Sequence, residues 1–294
     1  MGYGSYSASD WDKLKNSRKL SKNQSVEEVF VNKQCNPKMD PKFIATRECF
    51  DSEDHPNTTP IVVGLDVTGS MGYLAVQVAT EALNKLITKL YSTGSVEDPA
   101  LMCAAYGDYA DNSPLQVTQF ESDIRIAQQL LEIYFENGGS GDVVPTLLWE
   151  FLARHTKIDA INKRGKKGFV FTIGDGARIR VDEVGNTIKR AIGDDWMDAT
   201  REAVLAEVSE KFEVFHIMIN ASEKDNNDIL VGRKMNINYT EIAVIPEIII
   251  STIQLTNGMD KEKIISQWDA IDQPIVRNAI NQLNIVSEND EVNL

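Results

Sequence analysis

Cysteine is scarce in this 294-residue chain. Cys35, Cys49 and Cys103 are too few and too scattered to build a disulfide framework or a zinc site. Long apolar runs are missing as well: none approaches the roughly 18 residues needed to cross a bilayer. The opening stretch MGYGSYSASDWDKLKNSRKLSK lacks the apolar segment of a secretory signal. Together these absences predict a reducing, cytoplasmic setting with no membrane association. Positive charge is in short supply, with 30 Lys and Arg against 44 Asp and Glu and a net charge of −14. That balance argues against nonspecific nucleic-acid binding, which needs cations to neutralise phosphates.

The hydrophobic fraction of 42% suffices for a sizeable core. Charge is uneven along the chain. Residues 1–50 hold nine Lys and Arg against six Asp and Glu, a surplus of +3 that leaves −17 for the rest. The local basic run Lys13, Lys15, Arg18, Lys19 and Lys22 reads as a solvated arm, with docking to an acidic partner as the sharper alternative. Residues 1–59 show weak periodicity and many Ser, Asn, Lys and Pro, so they read as a partly ordered extension bearing one helix.

From residue 60 the pattern sharpens. Ile61–Leu65 is a short β-branched run, as expected of a strand buried on both faces of a parallel sheet. A turn leads into a helix over 70–91, with Leu83, Leu86, Ile87 and Leu90 on one face and Glu81, Lys85 and Lys89 on another. Strands are predicted at 101–106, 115–120, 168–173, 212–219 and 242–245. Helices are predicted at 124–134, 145–156, 181–192, 197–211, 247–255 and 261–283, with Pro145 tolerated in a first turn. Strands alternating with helices imply βαβ units, hence an α/β, Rossmann-like, doubly wound and mostly parallel sheet. The organisation expected is an N-terminal extension (1–59), a core domain (60–255) and a C-terminal helical extension with an acidic tail (256–294).

In such sheets ligands gather at the carboxyl ends of the strands, so the polar residues there become the candidates. The first strand delivers Asp66-Val67-Thr68-Gly69-Ser70. Alternate spacing in an extended turn can aim one carboxylate and two hydroxyls at a common point. Hard oxygen donors of this kind suit Mg²⁺, Mn²⁺ or Ca²⁺. The bland alternative is that Thr68 or Ser70 merely caps the following helix. Two further loops are predicted at the same edge: Gly138-Gly139-Ser140-Gly141-Asp142 before a helix, and Asp175 after the strand GFVFTI. Asp66 and Asp175 side by side would repel each other, and a bound cation resolves that repulsion.

These three loops, in this order, resemble the metal-ion-dependent adhesion site (MIDAS) of von Willebrand factor A-like (VWA) domains, of the kind found in intracellular bacterial VWA proteins. The resemblance spans roughly residues 60–255. In that family a D-x-S-x-S loop, a Thr on a second loop and an Asp on a third hold the metal. Asp66, Thr68 and Ser70 match the first loop, with Thr in place of the middle Ser, and Asp175 matches the third. The second loop departs from the pattern: Ser140, Asp142 or Thr146 could stand for its Thr, and Asp142 is favoured. The resemblance implies an incompletely coordinated Mg²⁺, with Mn²⁺ or Ca²⁺ as alternatives, that grips a protein partner through the partner's acidic side chain. It implies no catalysis, and among partners an ATPase of the AAA+ class.

Other residues invite a reading. Asp108 and Asp111 in YGDYAD are turn carboxylates or additional ligands. His55, His155 and His216 read as structural, and Lys163, Arg164, Lys166 and Lys167 as a solvated loop, since the chain carries no phosphate-cradling P-loop. Trp149 and Phe151 read as helix-face packing. A second function class is a Mg²⁺-dependent phosphohydrolase of the haloacid dehalogenase type, with Asp66 as nucleophile. It requires a carboxylic acid two residues on, where this chain has Thr68. A third reading is a metal-free scaffold.

Overall fold

The β-branched run that begins the patterned region forms β2 (Thr59–Asp66), the centre of a six-stranded sheet. In a computed structural model, residues 4–139, 143–175, 184–220 and 228–285 are described. β2 pairs in parallel with β3 (Pro99–Tyr106) on one side and β6 (Gly168–Gly174) on the other. β7 (Phe212–Ile219) and β8 (Lys234–Ile237) continue in parallel, and β4 (Leu115–Val117) closes the opposite edge antiparallel to β3. The spatial order β4-β3-β2-β6-β7-β8 reverses direction between β2 and β6. That reversal is the topological switch point at which open α/β sheets bind ligands. A separate pair, β1 (Arg47–Cys49) with β5 (Thr156–Ile158), is parallel.

Strand periodicity sorts the core into two layers. Ile61, Val63, Leu65, Phe169, Phe171 and Ile173 face one cluster, shared with the helices Leu83–Thr93 and Ile245–Thr256 and with Trp11, Leu14 and Leu20. Val62, Val170, Met102 and Tyr106 face the other, shared with the helices Pro145–Arg154, Val184–Ala191 and Arg201–Ser209. Each strand is therefore apolar on both sides, as a doubly wound sheet requires. Among the described residues no helix is long and apolar enough to cross a membrane.

Several elements differ from expectation: Thr156 opens β5 instead of ending the helix from Pro145, and Lys163 and Arg164 lie in the helix Asp159–Arg164 and not in a loop. Residues 242–245 are not a strand: Tyr239–Val244 is a 3₁₀ helix running into Ile245–Thr256. The last strand lies earlier, at Lys234–Ile237, where half-exposed Lys234 and exposed Asn236 break the apolar run that marks the inner strands. The long C-terminal helix is two, Lys261–Ser266 and Gln273–Ile280, with Pro274 in the first turn of the second.

His216 shows how the core handles a polar ring. It is 3% exposed in β7, with Nδ1 2.7 Å from Thr172 Oγ1 and Nε2 2.8 Å from Met218 Sδ. Burial, helped by the nearby Lys234 charge, pushes its imidazole down to about 4. The unfolded value is about 6.5, so the unfolded chain takes up a proton first as pH falls. Its contribution is fully present above about pH 6.5 and drains away toward pH 4. Acidification from pH 7 to pH 5 is expected to cost about 2 kcal/mol through this ring. Urea midpoints at the two pH values should separate less in His216→Leu than in the unsubstituted protein; equal separations would refute the assignment.

Candidate metal centre

The site is built at the switch point from the ends of neighbouring strands. Asp66 is the last residue of β2 and fully buried. Its Oδ1 accepts from the Thr68 N–H at 2.8 Å and the Thr68 hydroxyl at 2.7 Å. Its Oδ2 is buried with no hydrogen-bond partner among the described residues. An orphaned carboxylate oxygen in the interior is costly unless something cationic meets it.

Thr68 heads the 3₁₀ turn Gly69–Met71 without a side-chain capping bond, so its hydroxyl serves Asp66 rather than the helix. Ser70 is exposed, and its Oγ lies 3.5 Å from Thr68 Oγ1. The spacing thus puts the carboxylate and the hydroxyls of the first loop together. Asp175 directly follows β6, two residues beyond Ile173, which the register sets opposite Leu65. Gly174 matters here for space: a Cβ on it would stand 2.9 Å from Asp66 Oδ2 and 3.0 Å from the Tyr106 hydroxyl.

The second loop reaches the first through its backbone. Gly69 N–H donates to Gly138 O at 3.2 Å. Gly139 adopts φ of +143°, which favours glycine, and a Cβ on it would stand 3.6 Å from the Thr68 side chain. Ser140 and Asp142, the candidate ligands here, lie outside the described residues. Thr146 is buried in the first turn of the helix Pro145–Arg154.

Asp108 and Asp111 sit on the loop after β3. Asp111 Oδ2 accepts from the Asp108 N–H at 2.8 Å, and Asp108 Oδ1 from the Ala110 N–H at 2.8 Å, so both act as turn carboxylates. They also belong to the electrostatics of the site. Burial, partly offset by the Thr68 hydrogen bonds and reinforced by the Asp175 and Asp111 charges, pushes the Asp66 carboxyl up to about 7. Burial likewise raises Asp111 to about 6, against the Asp108 N–H and with Glu136 and Asp108 adding to it.

Tyr106 went unmarked in the sequence. It ends β3, and its hydroxyl donates to Ile173 O at 2.9 Å, tying the strand ends beside Asp66. Tyr73 and Tyr239, both exposed, stack with centroids 5.1 Å apart on the rim, and burial, with smaller contributions from Tyr73 and Asp175, raises the Tyr239 phenol. Only their shared position beside the strand ends reveals them, and sequence spacing carries no such signal.

No family model and no curated protein matches the chain. Solved structures overlap it in part. Proximal thread matrix protein 1 from the mussel byssus, in a form with a zinc-occupied MIDAS motif, is 13% identical, covering 67% of this chain and 48% of that one at a TM-score of 0.44. The pilus adhesin SpaC from Lactobacillus rhamnosus GG is 13% identical, covering 80% of this chain and 28% of that one at 0.38. The conserved hypothetical protein BatB from Bacteroides thetaiotaomicron is 12% identical, covering 55% and 66% at 0.33. This chain thus spans less than two thirds of the length of the mussel protein and of the adhesin. Family membership does not follow from overlaps of this size.

What the site can do follows from its own residues. Among the described residues the donors are all oxygen: the carboxylates of Asp66 and Asp175 and the hydroxyls of Thr68 and Ser70, with Asp111 adding negative charge nearby. That set fits a hard divalent cation, and the partnerless Asp66 Oδ2 is the atom that most needs one.

Proposed function

We propose that this chain is a metal-dependent protein-interaction module, built as a VWA-like domain. Asp66, Thr68, Ser70 and Asp175 hold the cation, with Asp142 from the second loop. Mg²⁺ suits the oxygen set best, and Mn²⁺ or Ca²⁺ are chemically close. The observation that carries this reading is the buried Asp66 Oδ2, without a partner among the described residues, at the switch point. The bound cation supplies positive charge and an open coordination position for an acidic side chain of a partner protein.

The chain's own residues do the positioning. Thr68 clamps one oxygen of Asp66 through two hydrogen bonds, which aims the other. Ser70, at the exposed start of the helical turn, meets solvent and partner. Tyr73 and Tyr239 offer aromatic surface at the rim. A catalytic role is not proposed, because Thr68 stands where a phosphohydrolase of the haloacid dehalogenase type needs an acid.

The test is capture of partners from the native cell by wild type and Asp66→Ala, with Mg²⁺ or with chelator. Capture that requires both Mg²⁺ and Asp66 supports the reading. Capture indifferent to both sinks it, and hydrolysis of a generic phosphate monoester by wild type would favour the enzyme instead. Mg²⁺ alone should also stabilise wild type, by about 2.7 kcal/mol at a hundredfold excess over Kd.

A further inference from the structure

A second cluster of ligand-type side chains lies at the other end of the same helix. Pro145–Arg154 starts beside the loop after β3, where Val144 N–H donates to Gly107 O, and finishes at His155. Ten residues at 1.5 Å each carry the chain about 15 Å away from the strand ends. There His155 O accepts from the Arg47 N–H at the start of β1. One ligand-type atom each from Glu150, His155 and Asp194 all fall within 4.8 Å of one another.

The hydrogen-bond pattern within this cluster closes only if Glu150 keeps a proton or an ion takes its place. Glu150 is fully buried, and no N–H or hydroxyl of the described residues donates to either of its carboxylate oxygens; its polar neighbour is the Asp194 carboxylate. His155 Nδ1 lies 3.1 Å from Ala45 O, which can only accept. A proton on Nδ1 satisfies that contact and leaves the lone pair of Nε2 facing Asp194 Oδ2 at 3.0 Å. Three acceptor groups therefore converge, and without an ion only a proton kept on Glu150, whose carboxyl burial and the neighbouring Asp194 push up to about 9, separates the two carboxylates. The nearest cation, Arg154, is already forked onto Glu207 and stacked on Trp196.

We propose that Glu150, His155 and Asp194 form a binding site for a divalent transition-metal ion of the zinc class, separate from the oxygen-lined centre at Asp66. One imidazole nitrogen with two carboxylates is the borderline donor set that Zn²⁺ accepts, whereas Mg²⁺ and Ca²⁺ prefer oxygen throughout. Two ligands each about 2.1 Å from such an ion at the tetrahedral angle stand about 3.4 Å from each other, so the His155–Asp194 pair at 3.0 Å needs to open by only a few tenths of an ångström to admit it. The Nδ1–H donated to a backbone carbonyl is the outer contact that fixes the tautomer of a metal-binding histidine. The side chains of His155 and Asp194 are 17% and 26% exposed, so an ion reaches the cluster from solvent and water completes its coordination. Bound there, it fastens the end of the helix to the segment after Val184–Ala191. The scarcity of cysteine spoke only to thiolate sites.

Equilibrium dialysis of the full chain against Zn²⁺ alone tests this, with Asp66→Asn removing the other centre. Zinc bound by Asp66→Asn, and weakened at least ~10-fold when Glu150→Gln or Asp194→Asn is added, is the expected result. Absence of zinc binding in Asp66→Asn overturns the proposal. Unchanged binding in the double variants overturns it too, and leaves shared protons as the way the carboxylates coexist. Asp194 is partly exposed on a loop, so Asp194→Asn decides the matter if circular dichroism shows that Glu150→Gln fails to fold. Neither outcome depends on whether Asp66 binds Mg²⁺.

Discussion

Replacing Asp66 by asparagine is expected to stabilise the metal-free protein while abolishing its response to Mg²⁺. The buried carboxyl is pushed from 3.8 to about 7, burial being the main cause. A carboxyl whose folded pKa lies above its unfolded one weakens the fold as pH rises, because the unfolded chain gives up its proton first. The loss begins near pH 4 and is complete once pH passes about 7. Each tenfold difference in proton affinity between the two states is worth about 1.4 kcal/mol, so the loss comes to about 4 kcal/mol in all. Asparagine carries no charge to desolvate and escapes that penalty. Urea unfolding slightly above pH 7 in chelator should show Asp66→Asn to be the more stable protein by up to about 4 kcal/mol. In excess Mg²⁺ the order narrows or reverses, since only wild type gains from the ion. A variant no more stable than wild type in chelator, or one that still gains from Mg²⁺, would refute this account of the site. Such a trade of stability for binding is common where function needs an exposed or buried charge.

The strands that build this site were legible because they are buried on both faces. Ile61–Leu65, Leu101–Tyr106, Gly168–Ile173 and Phe212–Ile219 are apolar runs bounded by polar turns, and each lies in the sheet. Once their order along the chain is known, Asp66 and Asp175 must fall at one edge. β8 was hidden because it borders solvent and alternates, so its four residues look like loop. β1 and β5 were hidden because three residues are too short for any period to register. The interplay of side chains across elements left no trace in spacing. Tyr106 reaches Ile173 across 67 positions, and Arg164, read as part of a solvated loop, binds Asp51 Oδ2 at 2.6 Å and Thr58 O at 2.8 Å. His155, read as an ordinary helix residue, acquires its neighbours Ala45 and Asp194 only when the chain folds.

Lys85 and Lys89 make the same point energetically. They lie on the polar face of the helix Leu83–Thr93, as their spacing indicates, and yet they are not idle there. Lys85 Nζ is 2.6 Å and Lys89 Nζ 3.4 Å from Glu247 Oε1, and the Glu247 side chain is 1% exposed on the helix Ile245–Thr256. Lys85 also donates to Ala243 O at 3.0 Å, and Lys89 sits 4.8 Å above the Trp268 ring. The pair of cations therefore fastens the C-terminal helices to the sheet's first helix through one buried carboxylate. Removing both strands that carboxylate, and breaking a buried pair typically costs about 3–5 kcal/mol. The ammonium ends stay about a third exposed, so screening places this case near ~3 kcal/mol. Lys85→Met with Lys89→Met keeps the apolar stems and isolates the charge. Adding Glu247→Leu should recover most of the lost stability, because an apolar residue needs no cation. A double variant as stable as wild type, or a triple variant no better than the double, would show that the carboxylate is satisfied some other way.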